Sequence, residues 1–156
     1  MISADATRTE TSPLTHPHLV LCVDDEPRTL SALQRTLRRE PYEVVVTESP
    51  WEALSWVDAR DVSLVISDQR MPEMCGSEMI AEIRARSPGT LCVLLTAYPG
   101  SVSSGGADWR DVGELILKPW DDHQLRRIVR SLLRERESGG AEDLDDLELG
   151  GESGGS

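Results

Sequence analysis

Five short apolar runs punctuate the chain, at His18–Val23, Glu43–Thr47, Val62–Ser67, Leu91–Thr96 and Val112–Leu117. Each is rich in Val, Ile and Leu and of a length that suits a strand. Between them the apolar spacing turns helical. Leu30, Leu33 and Leu37 make one stripe after Pro27, and Trp51, Leu54 and Val57 make a second behind a Ser49 cap with Pro50 at the first helical position. Met79, Ile80 and Ile83 make a third, which Ser87-Pro88-Gly89 stops. Leu125, Ile128, Val129, Leu132 and Leu133 make the last, opened by Asp121 and expected to close at Gly139-Gly140. A fourth helix is weakly written between the fourth and fifth runs, where Ser101–Trp109 contains Gly105-Gly106, each costing about 1 kcal/mol against Ala in a helix interior.

Alternation of strands and helices, with strands that are almost continuously apolar, predicts an α/β fold whose parallel sheet is covered on both faces. Ligands of such sheets sit beyond the carboxyl ends of the strands. That rule selects Asp24 and Asp25 after the first strand, Asp68 after the third, Thr96 at the end of the fourth and Lys118 at the end of the fifth.

A chain of 156 residues holds one domain with a real core. Residues 1–17 are Ser/Thr/Pro-rich and 139–156 combine Gly, Ser and acids, so both are expected to be disordered extensions of a domain at 18–138. The net charge of −12 argues against binding to nucleic acid or an anionic membrane, and half of it sits in the tail. With no apolar run approaching a membrane span, and with Asp5 and Glu10 where a leader would be apolar, a cytoplasmic protein is expected. Cys22, Cys75 and Cys92 are odd in number and widely spaced, which suits reduced thiols. The basic residues are all Arg apart from Lys118, which directly precedes Pro119.

Carboxylates gathered at one sheet edge repel, by about 3 kcal/mol for two charges ~5 Å apart at an effective dielectric near 20, so something positive belongs among them. Hard oxygen ligands with room for water favour Mg²⁺. A carboxylate beside such an ion can act as a nucleophile toward phosphorus, while a Lys ammonium and a Thr hydroxyl neutralise and hold the phosphoryl oxygens.

The motifs Val23-Asp24-Asp25-Glu26-Pro27, Ser67-Asp68-Gln69-Arg70-Met71-Pro72 with Gly76, Leu94-Leu95-Thr96-Ala97 and Leu117-Lys118-Pro119-Trp120 resemble those of a receiver domain. In order and spacing, residues 18–138 resemble the response regulator receiver domain of bacterial two-component signalling. The resemblance implies a flavodoxin-like, doubly wound five-stranded parallel sheet of order 2-1-3-4-5. It makes Asp68 the phosphoacceptor, Asp25 a direct Mg²⁺ ligand, Asp24 a ligand largely through water and the backbone carbonyl of Arg70 the remaining protein ligand. Thr96 becomes the switch hydroxyl and Lys118 the phosphoryl clamp, with a cis bond before Pro119. Leu115 stands where many members carry an aromatic ring, so that ring switch is absent. Arg70 and Tyr98 hold the two places that line the entrance to the acyl phosphate.

The function this implies is a phosphorylation-controlled switch, not an enzyme, charged by a sensor histidine kinase or a phosphotransfer protein. The stretch after Ser138 is too short for an output domain, so output is expected through protein contact or a phosphorelay. The alternatives are a receiver fragment of a larger regulator, a pseudo-receiver adaptor that binds without phosphorylation, and an aspartate-nucleophile phosphatase. The last of these would want a second Asp where Arg70 stands. Trp51 and Trp56 are expected to pack, Trp120 to wedge beside the site, and His16, His18 and His123 to be incidental. The arginines of the last helix, Arg126, Arg127, Arg130, Arg134 and Arg136, are expected to form a solvated face, with a docking surface as the sharper reading.

Overall fold

The computed structural model describes residues 17–97 and 113–155, with side chains described as far as Ser138. Strands β1 (Leu19–Val23), β2 (Glu43–Thr47), β3 (Leu64–Ser67), β4 (Leu91–Thr96) and β5 (Glu114–Leu117) form one sheet. Its order is β2-β1-β3-β4-β5 and every pairing is parallel. Helices α1 (Pro27–Leu37), α2 (Pro50–Ala59), α3 (Gly76–Arg86) and α4 (Asp122–Gly155) supply the outer layers. The expected fourth helix and Tyr98 lie outside the described residues.

The strand pleat sorts the core into two layers. Leu19, Leu21 and Val23 of β1 pack with Leu54 and Val57 of α2 and Met79, Ile80 and Ile83 of α3. Val20 and Cys22 point the other way, among Leu30, Leu33 and Leu37 of α1 and Leu125, Val129 and Leu133 of α4. All five residues of β1 are buried, which is why that run reads as continuously apolar. Ser49 caps α2 as expected, accepting from the Glu52 amide at 3.2 Å, and Asp121 opens α4 by accepting from the Gln124 amide at 2.9 Å.

Four expectations are corrected. Trp51 is 54% exposed, because it lies on the solvent side of α2 while Ala53, Leu54 and Val57 fill the inner side. Trp56 is partly buried against the core, with the Arg60 guanidinium 5.6 Å over its ring. The α4 backbone does not stop at Gly139-Gly140 but runs on to Gly155. Glycine costs a helix about 1 kcal/mol per residue but ends it only where it adopts a left-handed cap. His18 is not incidental either: it is buried, with Nδ1 at 2.8 Å from Ser63 Oγ and Nε2 at 2.6 Å from Glu137 Oε2, joining the start of β1 to α4. Trp120, expected as a wedge, packs on the α1/α4 core layer and donates its indole N–H to Thr36 and Asp122.

Burial pushes the thiols of Cys22 and Cys92 up to about 12, whereas Cys75 is half-buried in the loop before α3. A water-soluble alkylating reagent is therefore expected to add once to the folded protein, at Cys75, and three times in denaturant. Intact mass reads the adducts directly, and native labelling of Cys22 or Cys92 would contradict this packing.

Candidate functional site

The chain leaves β1 for β2 on one side of the sheet and returns to β3 on the other, so the loops after β1 and β3 diverge and leave a crevice at their carboxyl ends. Asp24, Asp25 and Asp68 stand in it. One carboxylate oxygen from each lies within 4.8 Å of the other two. The register holds them there: the Asp24 amide donates to the Thr47 carbonyl at 3.2 Å and the Asp68 amide to the Val23 carbonyl at 3.0 Å.

Lys118 reaches the cluster from the end of β5. Its Nζ is 3.0 Å from Asp24 Oδ2 and 3.2 Å from Asp68 Oδ1. Its backbone amide donates to the Thr96 carbonyl at 2.9 Å, so the two strand-end residues are tied together, and the following bond to Pro119 is cis as expected. Thr96 is fully buried.

Asp24 is 1% exposed. Burial raises its pKa, against the Glu26 amide, which donates to Oδ1 at 2.9 Å, and against Lys118, both of which favour the charged form. For Lys118, burial alone would favour loss of the proton. The hydrogen bond and charge of Asp24, then those of Asp68, outweigh it and raise the pKa, so the ammonium is held charged.

Three carboxylates face one ammonium, which among the described residues pairs with Asp24 and Asp68 and not with Asp25. The exposed Asp25 leaves a side open to water. This donor set, all oxygen, short of positive charge and partly hydrated, fits a small hard divalent cation such as Mg²⁺.

The loop after Asp68 is shaped by Gly76, the first residue of α3. A Cβ there would stand 2.3 Å from the Asp68 carbonyl oxygen and 2.8 Å from Leu94 Cδ2. Gln69, which the sequence reading did not single out, closes the same loop. It is buried, its Oε1 accepts from the Ser77 amide at 2.8 Å, its Nε2 donates to Ser77 Oγ at 3.1 Å, and its carbonyl accepts from Gly76 at 2.9 Å. A Gln bracketed by apolar and loop residues carries no periodic signal, so only its contacts reveal it. Arg70, two residues after Asp68, is exposed. Leu115 is half-buried against the α2/α3 core layer, on β5 three residues before Lys118.

Comparisons with known proteins agree with this geometry. Residues 20–130 match the family described as response regulator receiver domain. The transcriptional regulatory protein GlrR of Escherichia coli is 36% identical over 119 residues, which are 76% of this chain and 27% of GlrR. The chain thus spans about a quarter of the length of the first curated relatives it matches. The signal receiver domain of an HD domain-containing protein from Pseudomonas fluorescens superposes with a TM-score of 0.73 at 30% identity, over 79% of this chain and 99% of that one. Response regulator TrrA of Thermotoga maritima, solved in complex with Mg²⁺ and BeF, gives 0.62 at 34% identity over 74% and 98%. No helix among the described residues is long and apolar enough to cross a membrane.

Proposed function

Because this chain belongs to the response regulator receiver family of two-component signalling, we propose that it is a phosphoryl-controlled switch whose acceptor is Asp68, within a receiver domain spanning 18–138. The observation that carries this is the convergence of Asp24, Asp25 and Asp68 with an ammonium that bridges two of them. The donor is a phosphohistidine of a sensor kinase or a phosphotransfer protein. A carboxylate oxygen of Asp68 attacks phosphorus, the P–N bond breaks, and the electron pair leaves with the imidazole, giving an aspartyl phosphate.

Each residue's part follows from its charge and place. Lys118, freed from Asp68 as that carboxylate becomes an acyl phosphate, neutralises one phosphoryl oxygen and keeps its hold on Asp24. The Thr96 hydroxyl takes a second oxygen as donor. Asp25, Asp24 and Asp68, with the Arg70 carbonyl, would hold Mg²⁺, whose charge offsets that of the phosphoryl oxygens in the transition state. Arg70 and Tyr98 shield the acyl phosphate from water. With Leu115 in place of a ring, the signal passes through the Thr96 loop instead of an aromatic rotamer.

Output by direct protein contact or phosphorelay, in the cytoplasm and without nucleic acid, remains part of this proposal. The small share of GlrR that the chain covers favours one second reading, the receiver portion of a larger regulator.

Labelling with acetyl phosphate tests the function. The expected result is Mg²⁺-dependent uptake of one phosphoryl group, labile to hydroxylamine. Asp25→Ala should weaken Mg²⁺ binding at least tenfold, about 1.4 kcal/mol. Mg²⁺ binding without any uptake would leave an adaptor, and steady turnover of an external phosphomonoester would leave a phosphatase.

A further inference from the structure

The outer face of α4 collects positive charge on a chain whose net charge is −12. From His123 to Arg134 the helix holds Arg126, Arg127, Arg130 and Arg134 and no acid. Together with Glu40, three residues beyond α1, these arginines line an open concavity of about 790 Å³. Two of the four are committed on the α1 side: Arg130 grips the Glu40 carboxylate at 2.6 and 3.3 Å, and Arg126 donates to the Thr36 carbonyl at 3.2 Å. The centre of the face is Arg127, Ser131 and Arg134, at i, i+4 and i+7. Arg127 is exposed and has no ion pair among the described residues. Arg134 is half-buried, and its Nη1 is covered with no hydrogen-bond partner. A covered guanidinium nitrogen without an acceptor is costly, and a carboxylate standing over this long side chain relieves the cost by drawing it outward.

We propose that this face docks an acidic helix of a partner protein, with carboxylates aimed at Arg127 and Arg134. Glu40 displays the chemistry, since it is a carboxylate already held by an arginine of the same face, with Nε of Arg130 at 2.6 Å. The spacing selects an elongated occupant. Arg127 and Arg134 stand about 10 Å apart along the helix axis, farther than one carboxylate or one phosphate group spans. A helix laid alongside repeats its side chains at the same interval, so acids at i and i+7 meet both arginines at once. Between and beside them, exposed Gln124 and Ser131 offer neutral hydrogen-bonding groups, and half-buried Ile128 offers an apolar edge. None of these residues belongs to the cluster of Asp24, Asp25, Asp68 and Lys118, so docking is separable from phosphorylation by mutation. Because the pairs are largely exposed and the Debye length is ~10 Å at 0.1 M salt, docking should be tight at low salt and weak at high salt.

A synthetic helix, three repeats of Glu-Ala-Ala-Leu-Glu-Ala-Ala, serves as the probe, titrated with the unphosphorylated full-length chain and followed by the anisotropy of a dye on the peptide. It is expected to bind at low ionic strength, and at least tenfold more weakly in 0.5 M salt or to the variant Arg127→Glu/Arg134→Glu. That variant should keep the wild-type circular dichroism and its uptake of phosphoryl from acetyl phosphate, which separates a failure of this surface from a failure at Asp68. Arg127→Glu alone, at an exposed position, should weaken binding at least threefold. Arg84→Glu makes the same change of charge at an exposed position of α3, across the sheet, and should leave binding unchanged. No binding of the peptide, or equal losses from Arg84→Glu and Arg127→Glu, would overturn the proposal. So would tighter binding of tripolyphosphate, which would make the face a phosphate site. A wild-type dimer in sedimentation that Arg127→Glu/Arg134→Glu dissolves would overturn it too, by making the occupant a second copy.

Discussion

Asp68→Asn is expected to abolish phosphoryl uptake completely while leaving the fold intact. An amide is no nucleophile toward phosphorus, so the loss is of the bond-forming step and not of affinity alone. The stability of the metal-free protein should change little, because two effects oppose. The substitution removes a charge that raises the Asp24 pKa, and it also removes the 3.2 Å partner of Lys118. Mg²⁺ separates the variants. At a concentration one hundred times its dissociation constant, a bound ion stabilises the native state by about 2.7 kcal/mol. The wild type should show a thermal shift of that order, and the Asn variant a much smaller one. Full labelling of the variant, with the phosphate mapped to another residue, would sink the assignment of Asp68.

Gly76→Ala is expected to destabilise the domain by about 2–3 kcal/mol, the upper part of the range for an overpacked site. The added Cβ meets the Asp68 carbonyl oxygen at 2.3 Å, a backbone atom in the chain of contacts that places the acceptor, and Leu94 Cδ2 at 2.8 Å. Neither is the free end of a flexible side chain. The better helix propensity of Ala, about 1 kcal/mol in a helix interior, offsets only part of this. Because relief requires the acceptor loop to move, phosphoryl uptake should slow as well. Denaturant unfolding measures the first effect and labelling rates the second. A loss below about 0.5 kcal/mol would mean the loop yields without strain, which the 2.9 Å hydrogen bond from Gly76 to Gln69 argues against.

Strands were legible because burial on both faces leaves an unbroken apolar run, as in Leu19–Val23. The helical stripes were legible where one face is buried, and Leu30, Leu33 and Leu37 are all in the core. Periodicity failed at Trp51, since a large apolar residue in phase with a stripe still turns to solvent when smaller neighbours fill the inner face. It also failed at Leu117, which is 55% exposed on the edge strand β5.

By itself the sequence determined the elements, their α/β class and the residues at the strand ends, because hydrophobic period and short motifs are properties of neighbouring positions along the chain. Family membership needed no more than those motifs. Which strand ends face one another was decided only by the sheet order, which sets Asp24 and Asp68 across one crevice and delivers Lys118, 94 residues from Asp24 in sequence, to within 3.0 Å. The pairing of His18 with Ser63 and Glu137, the Gln69 clasp and the orphaned Arg134 nitrogen belong to the same class. Hydrogen bonds between distant residues leave no local period in a sequence, so only the folded chain, by fixing distances and excluding water, decides which polar groups are paired and which still need a partner.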